Sequence, residues 1–179
     1  MIKKILLGLA AVIIILCIVI AFQPKEFRVT RSALIAAPPA TLFEWTNDHR
    51  KFMEWSPWAK VDPNVKNTFS GPASGVGAAC SWAGNSDIGE GTCTITESRP
   101  GELVRCRMDW LKPMEGTSTV DYTFKQEGDK TRVTWAMYGE NNFMAKAVSL
   151  VIDCDKMCGD QFEKGLESLR LLAEAPAKK

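Results

Sequence analysis

The sequence predicts an α+β fold: a curved antiparallel sheet of about six to seven strands wrapped around a long C-terminal helix, preceded by an N-terminal transmembrane helix. Three observations carry this expectation. Residues 5–22 run for eighteen positions without a charged or strongly polar side chain. Residues 67–137 break into short alternating segments separated by Gly, Pro and Asn/Asp signals, the mark of strands joined by tight turns. In the last forty residues Val148, Val151, Cys154, Cys158, Phe162, Leu166, Leu169 and Ala173 recur at spacings of three and four, close to the helical period of about 3.6.

The apolar run comes first in the chain. At about 1.5 Å per residue it is about 27 Å long, near the thickness of a bilayer core. Its length favours an uncleaved signal anchor over the shorter apolar region of a signal peptide. Val19-Ile20-Ala21 nevertheless offers a small-residue cleavage site, so removal stays open. Lys3, Lys4 and the amino terminus outweigh Lys25 and Arg28 with Glu26 beside them, which orients the N-terminus to the cytoplasm. The expectation is a single-pass protein of the inner (cytoplasmic) membrane with residues 1–24 as the anchor, a domain over 25–175 on the extracytoplasmic side and a tail over 176–179. Only residues 23–26 separate anchor and domain, a reach of about 14 Å. The domain therefore sits against the bilayer surface.

A strand follows over residues 27–35, with Phe27, Val29, Ala33 and Ile35 on one side and Arg31 interrupting that apolar row. Ala36-Ala37-Pro38-Pro39 stops it, and proline suits a helix start, so residues 40–48 read as a short helix and 50–55 as another helical turn. Strands are expected over 67–71, 76–83, 90–97, 103–111 and 117–124, then a Gly128-Asp129 hairpin and a last strand with Val133, Trp135 and Met137 inward. The closing helix presents an apolar stripe, with Asp153, Asp155, Lys156, Asp160, Glu163, Lys164, Glu167 and Arg170 between its members. With 179 residues there is room for one domain plus the appendage.

Glu54-Trp55-Ser56-Pro57-Trp58 with Asp62-Pro63, following a strand that ends in Ala36-Ala37-Pro38-Pro39, resembles the entry motif of the START-like polyketide cyclase/dehydrase and lipid-transport superfamily (SRPBCC). Residues 155–159 (Asp-Lys-Met-Cys-Gly), 162–166 (Phe-Glu-Lys-Gly-Leu) and Leu169 are similar to that superfamily's closing helix. The resemblance covers about residues 27–174. It implies a helix-grip fold with an apolar cavity between sheet and helix, and no particular reaction, because one scaffold hosts transporters, binding proteins, cyclases and chaperone activators.

The chemistry-bearing residues point the same way. Charge is balanced, 22 basic against 21 acidic residues without a basic stripe, so no nucleic-acid partner is expected. Nucleophile-elbow, zinc-protease and nucleotide-binding signatures are absent from the sequence. Cys154 and Cys158 share a helix face, but the sole histidine is His49 and zinc-like spacing is missing, so they read as packing residues; neither metal nor cofactor is expected. Cys80, Cys93 and Cys106 fall on the apolar sides of three consecutive strands and read as buried thiols, with a cross-strand disulfide left open. His49 reads as an exposed loop residue.

Large rings and methionines converge on the expected interior: Trp55, Trp58, Trp82, Trp110 and Trp135 with Tyr122 and Phe162, and Met108, Met137 and Met157 among them. These ten are the candidate ligand-binding residues, since large rings and flexible Met side chains suit a cavity holding an apolar guest as well as a filled core. Arg31 is either a polar anchor at the cavity mouth or the partner of a carboxylate such as Glu97 or Asp121. Glu54 and Glu140 are further polar candidates. Gly159 and Gly165 beside the helix stripe allow close approach of a backbone or a guest, and Gly165→Leu is expected to impair uptake more than folding. The functional expectation is membrane-tethered binding of a lipid or other small hydrophobic molecule. Its alternatives are a cyclase or dehydrase acting in the same cavity, and an interaction module with a filled core.

Overall fold

The computed structural model describes residues 2–175; the expected tail over 176–179 lies outside them. Helix α1 spans Ile2–Ala21 and exposes nearly all of its surface, with Ile20 alone buried. It is long and apolar enough to cross a membrane.

Strand β1 (Glu26–Ile35) buries Val29 and Ile35 and turns Arg28, Thr30, Ser32 and Leu34 outward, the period of two expected of a half-covered strand. Pro39 opens α2 (Pro39–Thr46), where its missing N–H is harmless. Asp48 caps α3 (His49–Trp55) by accepting from the Arg50 N–H at 2.8 Å, and a 3₁₀ turn follows over Pro57–Lys60.

The remaining strands are β2 (Lys66–Ser70), β3 (Ala79–Ala83), β4 (Glu90–Arg99), β5 (Leu103–Lys112), β6 (Gly116–Glu127) and β7 (Lys130–Glu140). They form one antiparallel sheet in the order β1-β7-β6-β5-β4-β3-β2. The first strand thus closes against the last, the only non-sequential pairing among the described residues. Between β4 and β5 the register slips at Glu90/Gly91 and again at Ile95/Glu97. Such bulges bend a strand and deepen the local twist, which lets the sheet curve.

The C-terminal stripe is carried by two helices rather than one. Asn142 caps α4 (Phe143–Val148) from the Ala145 N–H, residues 149–153 turn, and Asp153 caps α5 (Cys154–Glu174) from the Lys156 N–H. Val148 therefore ends the first helix, and Val151 lies in the linker, 84% exposed instead of on a core-facing stripe. The periodicity ran through a break that the caps make energetically easy: two side-chain acceptors, eleven residues apart, each satisfy orphan N–H groups of a new helix start.

Helix α5 lies along β1 and against α2, α3 and the 3₁₀ turn. Its buried positions are Gly159, Phe162, Gly165, Leu166 and Leu169, and the three large side chains join Trp55, Tyr122, Val133 and Trp135 in the core. Its C-terminal Glu174 accepts from the Ala36 N–H at 2.9 Å and pins the helix end to the loop after β1.

Candidate functional site

Cross-strand register places the concave face in rows. One row joins Tyr122 to Trp135 and Trp135 to Arg31; another joins Val120 to Met137 and Met137 to Val29. Nearer the other end, Cys80 faces Cys93 and Cys93 faces Met108, and the outermost row runs from Trp82 through Gly91 and Trp110 to Gly116.

The ten candidate residues split into groups. Trp55, Tyr122, Trp135 and Phe162 are buried and meet with Phe52 and half-buried Trp58 in one cluster under α5. Trp135 stacks on Phe162 at 4.3 Å and 6°, and meets Trp55 edge-on at 5.6 Å and Trp58 at 5.5 Å. Offset and edge contacts of this kind add to the area each ring buries. The Trp55 indole donates to the Trp45 carbonyl, whereas the buried Trp135 Nε1 has no partner among the described residues. Met137 is buried on β7 beside this cluster.

Trp82 and Trp110 form a second, separate pair. Their centroids lie 5.5 Å apart at 79°, above Gly91. A Cβ on Gly91 would stand 2.5 Å from the Trp82 ring and 2.7 Å from the Asp109 carbonyl, so glycine is what lets the two rings meet. Both are held by their nitrogens: Trp82 donates to the Ile88 carbonyl at 3.2 Å and Trp110 to Ser118 Oγ at 3.0 Å. Trp82, Trp110, Met108 and Cys93 are half-buried. They occupy strands β3, β4 and β5, the half of the sheet away from the β1 edge that α5 follows.

The row from Trp82 to Gly116 lies toward the strand ends at which β1 begins after α1. Gly116 starts β6, Gly139 lies beside Thr117 and Ser118, and Asn142 at the start of α4 donates to the Glu115 carbonyl. The Asn141 N–H donates to the Lys25 carbonyl at 2.7 Å, just before β1 begins. Two surface hollows occur: one of about 350 Å³ lined by Glu44, Asn47, Asp48, Lys51 and Ser74, and one of about 530 Å³ at this same end, lined by residues of the β1 start and β7 end, including Glu26, Arg28, Tyr138, Gly139 and Glu140. Neither includes any of the ten residues.

Four expectations are corrected. Met157 does not join the interior; it is 55% exposed, because α5 begins only at Cys154 and turns its first-turn methionine to solvent. His49 is buried at the start of α3, not exposed, with Nε2 unpartnered among the described residues; desolvation lowers its pKa, opposed by the Ala78 carbonyl and Asp48. Arg31 pairs neither with Glu97 nor with Asp121, which are both engaged by Arg105. Its Nη2 meets Asp155 at 3.0 Å and its Nε meets Glu163 at 2.9 Å, across to α5, and the guanidinium holds the Asp155 carboxyl below its ordinary range. Finally, Gly165 packs against the core: a Cβ there would meet the Trp135 ring at 2.8 Å and Pro57 at 3.1 Å.

Glu54 and Glu140 are exposed. All six cysteines are free thiols. Cys80 is pushed up to about 11 by burial, and Cys93 is raised by its hydrogen bond with Cys106 and by burial. Cys158 packs against the core and its thiol is likewise pushed up to about 11 by burial. No grouping of three or more His, Cys, Asp or Glu side chains suited to a metal ion occurs among the described residues. Sequence reasoning missed Gly91, Phe52 and the apolar segment around α4. Gly91 carried a legible signal in its strand-interior position, but the pairing that explains it depends on register.

The family model described as "Polyketide cyclase / dehydrase and lipid transport" matches residues 26–174. No curated protein matches the sequence. Among solved structures, a protein from Chromobacterium violaceum is similar over 86% of this chain and 99% of its own, at 16% identity and a TM-score of 0.60. The Aha1 dimer from Colwellia psychrerythraea is similar over 85% and 99%, at 16% identity and 0.59. The di-domain ARO/CYC StfQ from the steffimycin biosynthetic pathway matches 84% of this chain with 51% of its own, at 9% identity and 0.60. At such identities the likeness establishes the fold.

Proposed function

The chain belongs to the polyketide cyclase / dehydrase and lipid transport family, and from that premise we propose that it binds a lipid or other small hydrophobic molecule at the half-open end of the concave face, with α1 holding the domain on a membrane. The observation that carries this reading is the position of the Trp82–Trp110 pair. Two half-buried indoles, their nitrogens already satisfied by protein acceptors, stand beside Met108, away from the edge that α5 covers and toward the strand ends at which β1 begins after α1. Apolar walls with few, fixed polar groups suit a hydrophobic guest. The flexible Met108 adapts such a wall to guests of different shape. The inner cluster under α5 serves as the rigid floor.

The cyclase or dehydrase alternative finds less support in the geometry. Arg31 is committed to two carboxylates on α5, and Glu54 and Glu140 face solvent, so none of the three is poised as a general acid or base over the Trp82–Trp110 wall.

The test is a titration of the full chain in mild detergent with fatty acids, sterols and aromatic polyketides, read by tryptophan fluorescence. Saturable quenching is expected, and Trp110→Ala and Trp82→Ala should weaken it at least about tenfold, the loss of roughly 1.4 kcal/mol, while leaving the far-ultraviolet circular dichroism unchanged. Binding that survives both substitutions, or a lack of response to every probe, would overturn the proposal.

A further inference from the structure

We infer that α4 and the linker that follows it, residues 143–152, insert their exposed apolar side chains into the hydrocarbon–headgroup boundary of the leaflet from which α1 emerges. This rests on the reading of α1 as a membrane span. The segment reads Phe-Met-Ala-Lys-Ala-Val-Ser-Leu-Val-Ile, ten residues with one charge and one hydroxyl. Each polar side chain has an internal partner. Lys146 Nζ donates to the Ala21 carbonyl at 3.3 Å, and Ser149 Oγ donates to the Lys146 carbonyl at 2.8 Å.

What remains is apolar and open. Phe143 is 52% exposed, and Met144, Leu150, Val151 and Ile152 are exposed as well. In water, five large apolar side chains in so short a stretch form a patch that wants a partner. Polar residues bound it closely, Asn141 and Asn142 before and Asp153 after.

The partner is identified by depth. Helix α4 packs against α1, and Ile20, in the last turn of α1, is the residue of that helix which becomes buried. Lys146 reaches the carbonyl of Ala21, where the unpaired C-terminal end of a helix attracts a cation. A 20-residue helix is about 30 Å long, the thickness of the hydrocarbon core, so its last turn lies at the boundary. The α4 segment is fastened at that same level. Its side chains are therefore at the depth where an interfacial helix buries its apolar face, and its single lysine is turned toward the end of α1. Because α4 begins beside Glu115, next to the Trp110 end of the sheet, the immersed segment lies beside the proposed binding wall.

The test reconstitutes the full chain in phosphatidylcholine vesicles doped with a phosphatidylcholine carrying a diazirine on its acyl chain, followed by irradiation and mapping of lipid adducts by mass spectrometry. Adducts on both α1 and residues 143–152, the latter at least about fivefold above the Gly101–Glu102 turn, are expected. Val151→Asp, at a position 84% exposed and free of packing, should remove adducts from residues 150–152 and leave those on α1. Adducts on α1 with none on 143–152 would overturn this inference and leave the span intact. Adducts on neither would overturn the span itself. A segment free of lipid and covered instead by a second copy, detected as a dimer in gentle detergent, would also overturn it.

Discussion

Arg31 interrupts an apolar row, and a partly covered charge there needs partners. The partners come from α5: Asp155 and Glu163 flank Gly159 and reach over it to the guanidinium. A Cβ on Gly159 would land on the Arg31 guanidinium, so this glycine is where the arginine passes the helix. Gly159→Ala is predicted to lower the melting temperature in the native background. In an Arg31→Ala background the same change should stabilise, by up to about 1 kcal/mol, because alanine favours a helix interior and the obstacle is gone. Equal effects in both backgrounds, measured by thermal melts, would contradict this account. The sequence showed Arg31 as a charge needing a carboxylate, but the choice among acidic residues depended on how α5 crosses β1.

His49 gives a pH signature. Burial holds its folded pKa below the ordinary histidine value, so the unfolded chain binds the proton first as pH falls. The contribution is present above about pH 6.5 and is lost progressively below it, down to the folded pKa. Melting temperature should therefore fall between about pH 7 and 5.5. A His49→Leu variant should flatten that slope over the same range. An unchanged slope would assign it to other groups. Nothing in the local sequence, Asp48-His49-Arg50, signalled burial; it follows from α3 turning its first residue inward.

At the scale of elements, α5 holds the aromatic floor. Gly165 lets the helix approach Trp135 and Pro57, and these are a rigid ring system and a pyrrolidine, neither of which yields easily. Gly165→Leu is predicted to reduce folded yield and ligand binding together, the overpacking penalty being about 1–3 kcal/mol or more. Intact folding with selectively lost binding would restore the earlier expectation that this glycine faces the guest. The strands and their order of appearance were legible because alternation and turn residues are local signals. The helix break at residues 149–153 was not, because a three-four periodicity of apolar residues continues across it and only the caps at Asn142 and Asp153 mark the interruption.

For the whole molecule, the sheet and its helix were readable from patterning, and so was the apolar α1. The division of the aromatics into a closed floor and a half-open wall was not. Alternation places Trp82, Trp110, Trp135 and Tyr122 on one face, but whether α5 covers them depends on which edge of the sheet it follows. That path is set by long-range contacts such as Arg31 with Asp155 and Ala36 with Glu174. Helix α1 is exposed along its length, and the proposed binding wall lies toward the strand ends at which β1 begins after it, so the proposal places membrane and ligand on one side of the domain.

On the proposed function, this side of the domain takes up a hydrophobic molecule. Native mass spectrometry of the full-length protein, extracted gently from membranes, tests it most directly. The account predicts a population heavier than the chain by the mass of one small apolar molecule, lost on mild activation and depleted in Trp110→Ala. A single bare mass for the native chain under conditions that preserve folding, with or without added lipids, would contradict it.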